Sequence, residues 1–222
     1  MILVLFSSIP LIAINAGKSF VSLPFLGNVE LGLIYPLILI PIGIVGATTT
    51  FNFLAGFNGL ESGNGILILF SVGVVSFLTG NSWLTIISLC MCASLLAFLF
   101  FNISPAKIFP GDSTTYPIGG MIAVICILGN FEKIAIFFFI PYIIEVFLKG
   151  RGKFKKHSFG KPLADNSLDL RYDKIYSLNH LAIFLMRKFK IRCTENRVVI
   201  SVWAFQLVVI IIGFLLFWGN KS

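Results

Sequence analysis

The sequence predicts an all-α protein, a polytopic bundle of transmembrane helices with about seven spans and a long basic cytoplasmic loop before the last span. Three observations predict it. Hydrophobic residues make up 57% of the 222 residues and charged residues 12%, against about 25% charged in a typical soluble domain. With a mean hydropathy of +0.97, the chain lacks the polar surface to cover a globule in water, so lipid must solvate much of it. The apolar residues fall into seven segments, roughly 2–14, 33–52, 65–79, 83–101, 117–130, 132–148 and 198–218. Finally, 13 of the 17 Lys and Arg lie between Lys149 and Arg197.

Taken in order, Ile2 to Ile14 has neither a basic n-region nor a small-residue cleavage site, so it reads as a span and not as a cleaved signal peptide. Segments 33–52, 83–101 and 198–218 meet the length of about 20 residues that a span needs, whereas 65–79 and 117–130 are short and must draw on flanking residues. Segments 117–130 and 132–148 would form one long helix but for Gly129-Asn130 and the charged Glu132-Lys133, which predict a turn near Asn130. Residues 176–190 place the apolar Leu178, Leu181, Phe184 and Leu185 at helical spacing, with basic residues at the end. That pattern predicts an amphipathic helix lying at the interface within the basic loop 149–197. The whole chain reads as a single membrane domain. Cys90, Cys92, Cys126 and Cys193 form no C-x-x-C pair and read as small packing residues, not as a disulfide framework or metal site.

A net charge of +8 would point to nucleic acid in a soluble protein. Here the charge sits between two spans, where the positive-inside rule predicts a cytoplasmic loop and no nucleic-acid partner. Counting back through the spans places loops 53–64 and 102–116 on the same cytoplasmic face, with 15–32, 80–82 and the turn near 130 outside. Every polar, motif-like stretch then shares one face, which suits an active site fed by a soluble substrate. A transporter would concentrate its ionisable groups at the midplane, in broken helices.

Three clusters on that face carry candidate chemistry. The first is Asn52-Phe-Leu-Ala-Gly-Phe-Asn58-Gly59-Leu-Glu61-Ser-Gly63. Polar groups at the end of a span are costly unless they bind a ligand or cap a helix, and Asn58-Gly59 is equally a helix stop. The second is Asn102-Ile-Ser-Pro105-Ala-Lys107-Ile-Phe109-Pro110-Gly111-Asp112, followed by three hydroxyl residues. The Asp112 carboxylate is either a hard oxygen ligand suited to Mg²⁺ beside substrate phosphates or the N-cap of the following span. The third is Lys153-Phe-Lys155-Lys156-His157-Ser-Phe-Gly160-Lys161-Pro162, whose cations suit a diphosphate or anionic membrane lipids. Together an acid, two Asn and a basic loop on one face suit phosphoryl transfer from a charged soluble donor to a lipid acceptor.

At these residues the chain resembles the UDP-GlcNAc:dolichyl-phosphate GlcNAc-1-phosphate transferases of eukaryotes and archaea. Asn52 to Gly63 resembles their N-x-x-x-G-x-N-G-L-E-x-G motif and Asn102 to Asp112 their N-x-x-P-(A/S)-(K/R)-x-F-x-G-D motif. The bacterial muramoyl-pentapeptide transferases are similar in architecture but less close in these loops. The resemblance implies transfer of GlcNAc-1-phosphate from UDP-GlcNAc to a polyprenyl or dolichyl phosphate, with release of UMP. It implies Mg²⁺ (or Mn²⁺) held with the donor diphosphate by Asn52 and Asp112. Phe109 would stack on the uracil ring and Asn58 would hydrogen-bond near the uridine. Gly111 would belong to the substrate-binding set, and Lys156 and His157 would contact the sugar phosphate. In place of the family's Arg-His-Arg type cluster this chain has Lys156-His157-Ser158.

The family also carries an acidic D-D-x-x-D-L-R motif in the loop before the span that matches 2–14, so no catalytic residue is assigned within this chain. The expectation is a partial chain, working as a homodimer or with a separate N-terminal segment, or else a catalytically incomplete fragment or partner subunit. Asp165-Asn166-Ser-Leu-Asp169-Leu-Arg171-Tyr172 copies the motif's spacing in the wrong loop and reads as chance similarity. Related donors, another UDP-HexNAc or UDP-MurNAc-pentapeptide, remain alternatives. The expected location is the plasma membrane in a prokaryote, or the endoplasmic reticulum in a eukaryote, with the active face cytoplasmic.

Overall fold

The computed structural model describes residues 2–14, 16, 20–23 and 27–218. Two short helices, α1 (Ile2–Phe6) and α2 (Ile9–Ala13), precede an antiparallel hairpin of β1 (Phe20–Leu23) and β2 (Gly27–Glu30). A π-helical turn, Tyr35–Leu39, then runs into α3 (Ile40–Phe53). There follow α4 (Leu60–Leu78), α5 (Ser82–Asn102), α6 (Asp112–Gly129), α7 (Glu132–Phe138) and α8 (Ile140–Arg151). The loop beyond holds β3 (Lys161–Pro162), β4 (Leu168–Asp169) and α9 (Leu178–Lys188), and α10 (Glu195–Trp218) closes the described chain.

Among the described residues five helices are long and apolar enough to cross a membrane: 35–53, 60–78, 82–102, 112–129 and 195–218. The two short apolar segments extend upstream as expected, α4 starting at Leu60 and α6 at Asp112, so both helices begin inside the motifs. The other two apolar segments are interrupted helices. Segment 2–14 turns at Ser7-Ser8 before Pro10. Segment 132–148 breaks at Phe139, just before Pro141, which has no N–H to give the helix ladder. The carbonyl of Phe138 left at this break accepts a hydrogen bond of 3.0 Å from Nε2 of Gln206, buried on α10. The predicted turn at Asn130 is present, with Asn130 left-handed at φ 56°.

Two helix pairs set the frame. In the α4–α5 hairpin, Ser88 Oγ donates to the carbonyl of Leu69 at 2.6 Å. In the α3–α6 pair the backbones nearly touch at Gly119, where a Cβ would stand 2.6 Å from the Ala47 carbonyl oxygen and 2.9 Å from Thr48 Cα. Small residues permit such close crossings between membrane helices.

The amphipathic helix exists as α9, and its apolar stripe is split, with Leu178 and Leu181 against the core and Phe184 and Leu185 turned outward. Leu178, Asn179, His180 and Ile183 are buried against the bundle, whereas Phe184 and Leu185 are 40% and 42% exposed. His180 can face inward because Tyr176 N and the Phe159 carbonyl bond its ring, which periodicity alone does not register. Among the cysteines, all free, Cys92, Cys126 and Cys193 are buried, and Cys90 lies on the exposed face of α5.

Candidate active site

The α3–α6 crossing aligns the first two motifs. The helices run antiparallel, so one turn beyond Thr48 on α3 meets one turn before Gly119 on α6. There Asn52 Nδ2 donates to Thr115 Oγ1 at 3.0 Å and to Asp112 Oδ1 at 2.6 Å. Asp112 is the first residue of α6 and the N-cap is Gly111, with φ 57° and no capping side-chain bond. The capping reading of Asp112 therefore fails. Its carboxylate is exposed and engaged by Asn52 across 60 residues of sequence.

Asn102, fully buried at the end of α5, joins the loops that carry Asn58 and Phe109. Its Oδ1 accepts from Gly59 N at 3.1 Å and Ser62 Oγ at 2.8 Å, and its Nδ2 donates to the Ile108 carbonyl at 3.0 Å. Glu195, the first residue of α10, ties the same loops from the other side. Its Oε1 accepts from Asn58 N at 2.8 Å and its Oε2 from Ser104 Oγ at 3.4 Å. Glu61 Oε1 accepts from Gly56 N at 2.9 Å. The Asn58 loop is thus held through its backbone, leaving the half-buried Asn58 side chain beside it. Phe109 stands out from its loop with 72% of its surface exposed, a free aromatic face at the polar end of the bundle.

Lys156 and His157 are exposed in the loop after α8. No hydrogen bond or ion pair joins either side chain to Asn52 or Asp112 among the described residues. The loop reaches the first motif through aromatic contacts instead. Phe154 packs on Phe53 at 5.5 Å between ring centroids, Phe159 meets Phe57 edge-on at 6.4 Å, and Lys149 Nζ lies 5.5 Å from the Phe53 ring centre. The ends of α3, α5 and α8 and the starts of α4, α6 and α10 consequently share one end of the bundle, as the charge count requires.

The acidic look-alike is structural. Asp169 forms an ion pair with Arg187 of α9. Asp165 Oδ1 accepts from Ser167 N at 3.1 Å and Ser167 Oγ at 2.6 Å, and these bonds, helped by Arg192, hold its carboxyl below the usual range.

Asn102, Thr115 and Glu195 carry the site's geometry, and the sequence reading gave none of them a role. Asn102 stands inside the second motif, so its position there was the available signal. For Glu195, a lone acid opening the last span, no local pattern says which loop it would reach.

The geometry defines a polytopic membrane protein with a cluster of polar side chains at one end of its bundle. Residues 1–130 match the family described as glycosyl transferase family 4, and the chain belongs to that family. It is 40% identical over 96% of its length to a Saccharolobus solfataricus protein provisionally named UDP-N-acetylglucosamine–dolichyl-phosphate N-acetylglucosaminephosphotransferase, covering 65% of that protein. A Sulfolobus acidocaldarius protein of the same provisional name is 35% identical over 94% of this chain and 62% of its own length. A phospho-N-acetylmuramoyl-pentapeptide-transferase of Clostridium perfringens is 33% identical over 56% of this chain and 39% of its own length. The chain therefore spans less than two thirds of the length of these relatives.

Proposed function

We propose that the protein transfers GlcNAc-1-phosphate from UDP-GlcNAc to a polyprenyl or dolichyl phosphate, releasing UMP. An oxygen of the lipid phosphate attacks the sugar-bearing phosphorus of the donor, the bond from that phosphorus to UMP breaks, and a lipid-linked diphosphate sugar results. The observation that carries this reading is the Asn52–Asp112 pair at the mouth of the α3–α6 crossing, beside a loop bearing a free aromatic ring and a loop bearing cations.

The donor set suits Mg²⁺. Asp112 is one exposed carboxylate with an amide and a hydroxyl beside it, and no group of three His, Cys, Asp or Glu is gathered among the described residues. Mg²⁺ favours such open sites, completed by substrate phosphates and water. When bound, the ion would offset charge on the diphosphate. Asn52 and Asp112 would hold it, Phe109 would stack on the uracil, Asn58 would orient the uridine, and Lys156 and His157 would bind the sugar phosphate.

A lipid acceptor is supported by an apolar cleft of about 480 Å³ between α3, α6 and the broken α7–α8 pair. It follows α3 from Tyr35, hydrogen-bonded to Glu132, to Thr50, two residues short of Asn52. A chain lying there would present its phosphate at the site. GlcNAc is favoured as the sugar because the two relatives named for it are 40% and 35% identical over nearly the whole chain, whereas a muramoyl relative that aligns over 94% of it is 27% identical. The positive-inside rule places the site on the cytoplasmic face.

The test is transfer in membranes supplied with labelled UDP-GlcNAc, Mg²⁺ and polyprenyl phosphate. The chain is assayed alone and joined to the N-terminal third of the S. solfataricus relative, with that relative as control. UMP release coupled to a labelled lipid diphosphate is expected from the joined form. Silence of both forms beside an active control overturns the reading.

A further inference from the structure

We infer that His180 is a positioning residue that, from α9, fastens the basic loop onto the Gly56–Phe57 loop and so sets Lys156 and His157 at the donor site. The assignment of those two residues to the donor rests on the function proposed above; the fastening itself does not.

Two links leave the fully buried His180. Through the first, His180 Nε2 bonds the Phe159 carbonyl at 3.2 Å. The other ring nitrogen, Nδ1, accepts from Tyr176 N at 3.4 Å. With Nδ1 the acceptor, Nε2 carries the proton and donates to Phe159, so the ring is neutral with its tautomer fixed. The Phe159 ring in turn meets Phe57 edge-on and covers Gly56, where a Cβ would stand 3.1 Å from it. Gly56 has φ 134°, a conformation open to glycine, so the covered position is bare for two reasons. Phe159 also stacks on His157, with centroids 6.2 Å apart.

The second link runs through Tyr172, whose ring lies edge-to-face with His180 at 5.7 Å. Lys156 Nζ sits 4.8 Å from the centre of that ring, and the Tyr172 hydroxyl accepts from His157 N at 3.4 Å. Both predicted phosphate-binding residues are thus held by partners that themselves rest on His180. The platform beneath is tied to α8. Glu145 of α8 accepts from Leu178 N at 2.7 Å and Ser177 Oγ at 3.2 Å, closing the N-terminus of α9.

The experiment uses the chain in lipid nanodiscs with Mg²⁺, as wild type, His180→Ala and His180→Gln; Gln keeps an N–H for the Phe159 carbonyl. The readouts are the Kd of UDP-GlcNAc, the Kd of UMP, and backbone hydrogen exchange. His180→Ala is expected to weaken UDP-GlcNAc about tenfold, the scale of one lost buried hydrogen bond, and to leave UMP within about twofold. Exchange at residues 156–160 and 56–58 should quicken, and His180→Gln should recover most of the affinity. Equal loss for both nucleotides, or unchanged exchange in those two segments, overturns the assignment. If the wild type binds neither nucleotide, the proposed function fails, and the exchange data alone decide whether His180 fastens the loop. Should His180→Ala not fold, Tyr172→Leu must give the same split, because it removes the ring beneath Lys156.

Discussion

Asn52 Nδ2 lies 2.6 Å from Asp112 Oδ1, joining the last turn of α3 to the first residue of α6. Because Gly111 is the N-cap, the exposed Asp112 carboxylate does not cap α6, and under the proposed function it holds Mg²⁺. Asp112→Asn should therefore leave the melting temperature unchanged and lower transfer by about 10²-fold or more, the scale for losing one charge-stabilising group. Steady-state transfer and thermal unfolding of the joined protein check this. A variant that keeps its activity would remove Asp112 from the site.

The Asn52–Asp112 alignment depends on the approach at Gly119. A methyl group there would press on the Ala47 carbonyl, which is backbone and cannot swing aside. Gly119→Ala should lower stability by about 1–3 kcal/mol, the usual cost of overpacking, and should lower transfer as well because it spreads α3 from α6. Thermal unfolding in detergent and the transfer assay give the two numbers. Equal stability would show that the helices can separate freely.

Much of this architecture was legible from composition and spacing. The spans at 33–52, 83–101 and 198–218 appear nearly as read, and the Asn130 break is where Gly129-Asn130 placed it. Asn52 and Asp112 were legible as motif residues, and the structure adds the contact between them. Less visible were features that depend on long-range partners. The interruption at Phe139 follows from Pro141, yet its repair by Gln206 needs the α7–α10 packing. The inward face of α9 carries the buried His180 because the Phe159 carbonyl on another segment bonds its ring, so a hydrophobic stripe caught only Leu178 and Leu181 of that face. Glu195 reaches Asn58 across 137 residues, a distance no local pattern spans.

Glu195 gives the third prediction. Glu195→Ala frees the Asn58 amide and the Ser104 hydroxyl together, and hydrogen bonds to charged groups are worth about 1.5–3 kcal/mol. UMP affinity should fall about tenfold or more, while Glu195→Gln, which keeps one acceptor oxygen, should fall less. Calorimetric titration with UMP and Mg²⁺ compares the two. Identical Kd values for wild type and Glu195→Ala would mean that the loop holds its shape without α10.

The fourth concerns pH. Burial pushes His180 below its ordinary value, and the nearby Lys149 on α8 and Arg171 in the loop add to this, against the Phe159 bond, which raises it. Tyr172 and Tyr176 also face the ring. The unfolded chain takes up a proton near pH 6.5, whereas the folded chain does so only at lower pH. Stability from this residue is therefore fully present above about pH 6.5 and lost as pH falls below it. Between pH 7.5 and 5.5 the melting temperature of wild type should drop more than that of His180→Gln. Parallel drops would show that His180 contributes nothing to the pH dependence.

The last prediction fixes the membrane orientation. Ser113 beside Asp112 and Lys155 beside Lys156 are both exposed and lie at the same end of the bundle; Ser82, exposed at the start of α5, lies at the other. Ser158, though in the same loop as Lys155, is buried and unsuited to labelling. With Cys90, Cys92, Cys126 and Cys193 replaced, single cysteines at 82, 113 and 155 report on the two faces. By the positive-inside rule the excess of Lys and Arg between 149 and 197 predicts a cytoplasmic loop. An impermeant thiol reagent should label position 82 in intact cells, and positions 113 and 155 only after lysis. The reverse pattern would turn the protein over and put the donor site outside, where no cytoplasmic nucleotide sugar reaches it. A split between 113 and 155 would contradict the shared end itself, and with it the aromatic contacts of Phe53 with Phe154 and of Phe57 with Phe159.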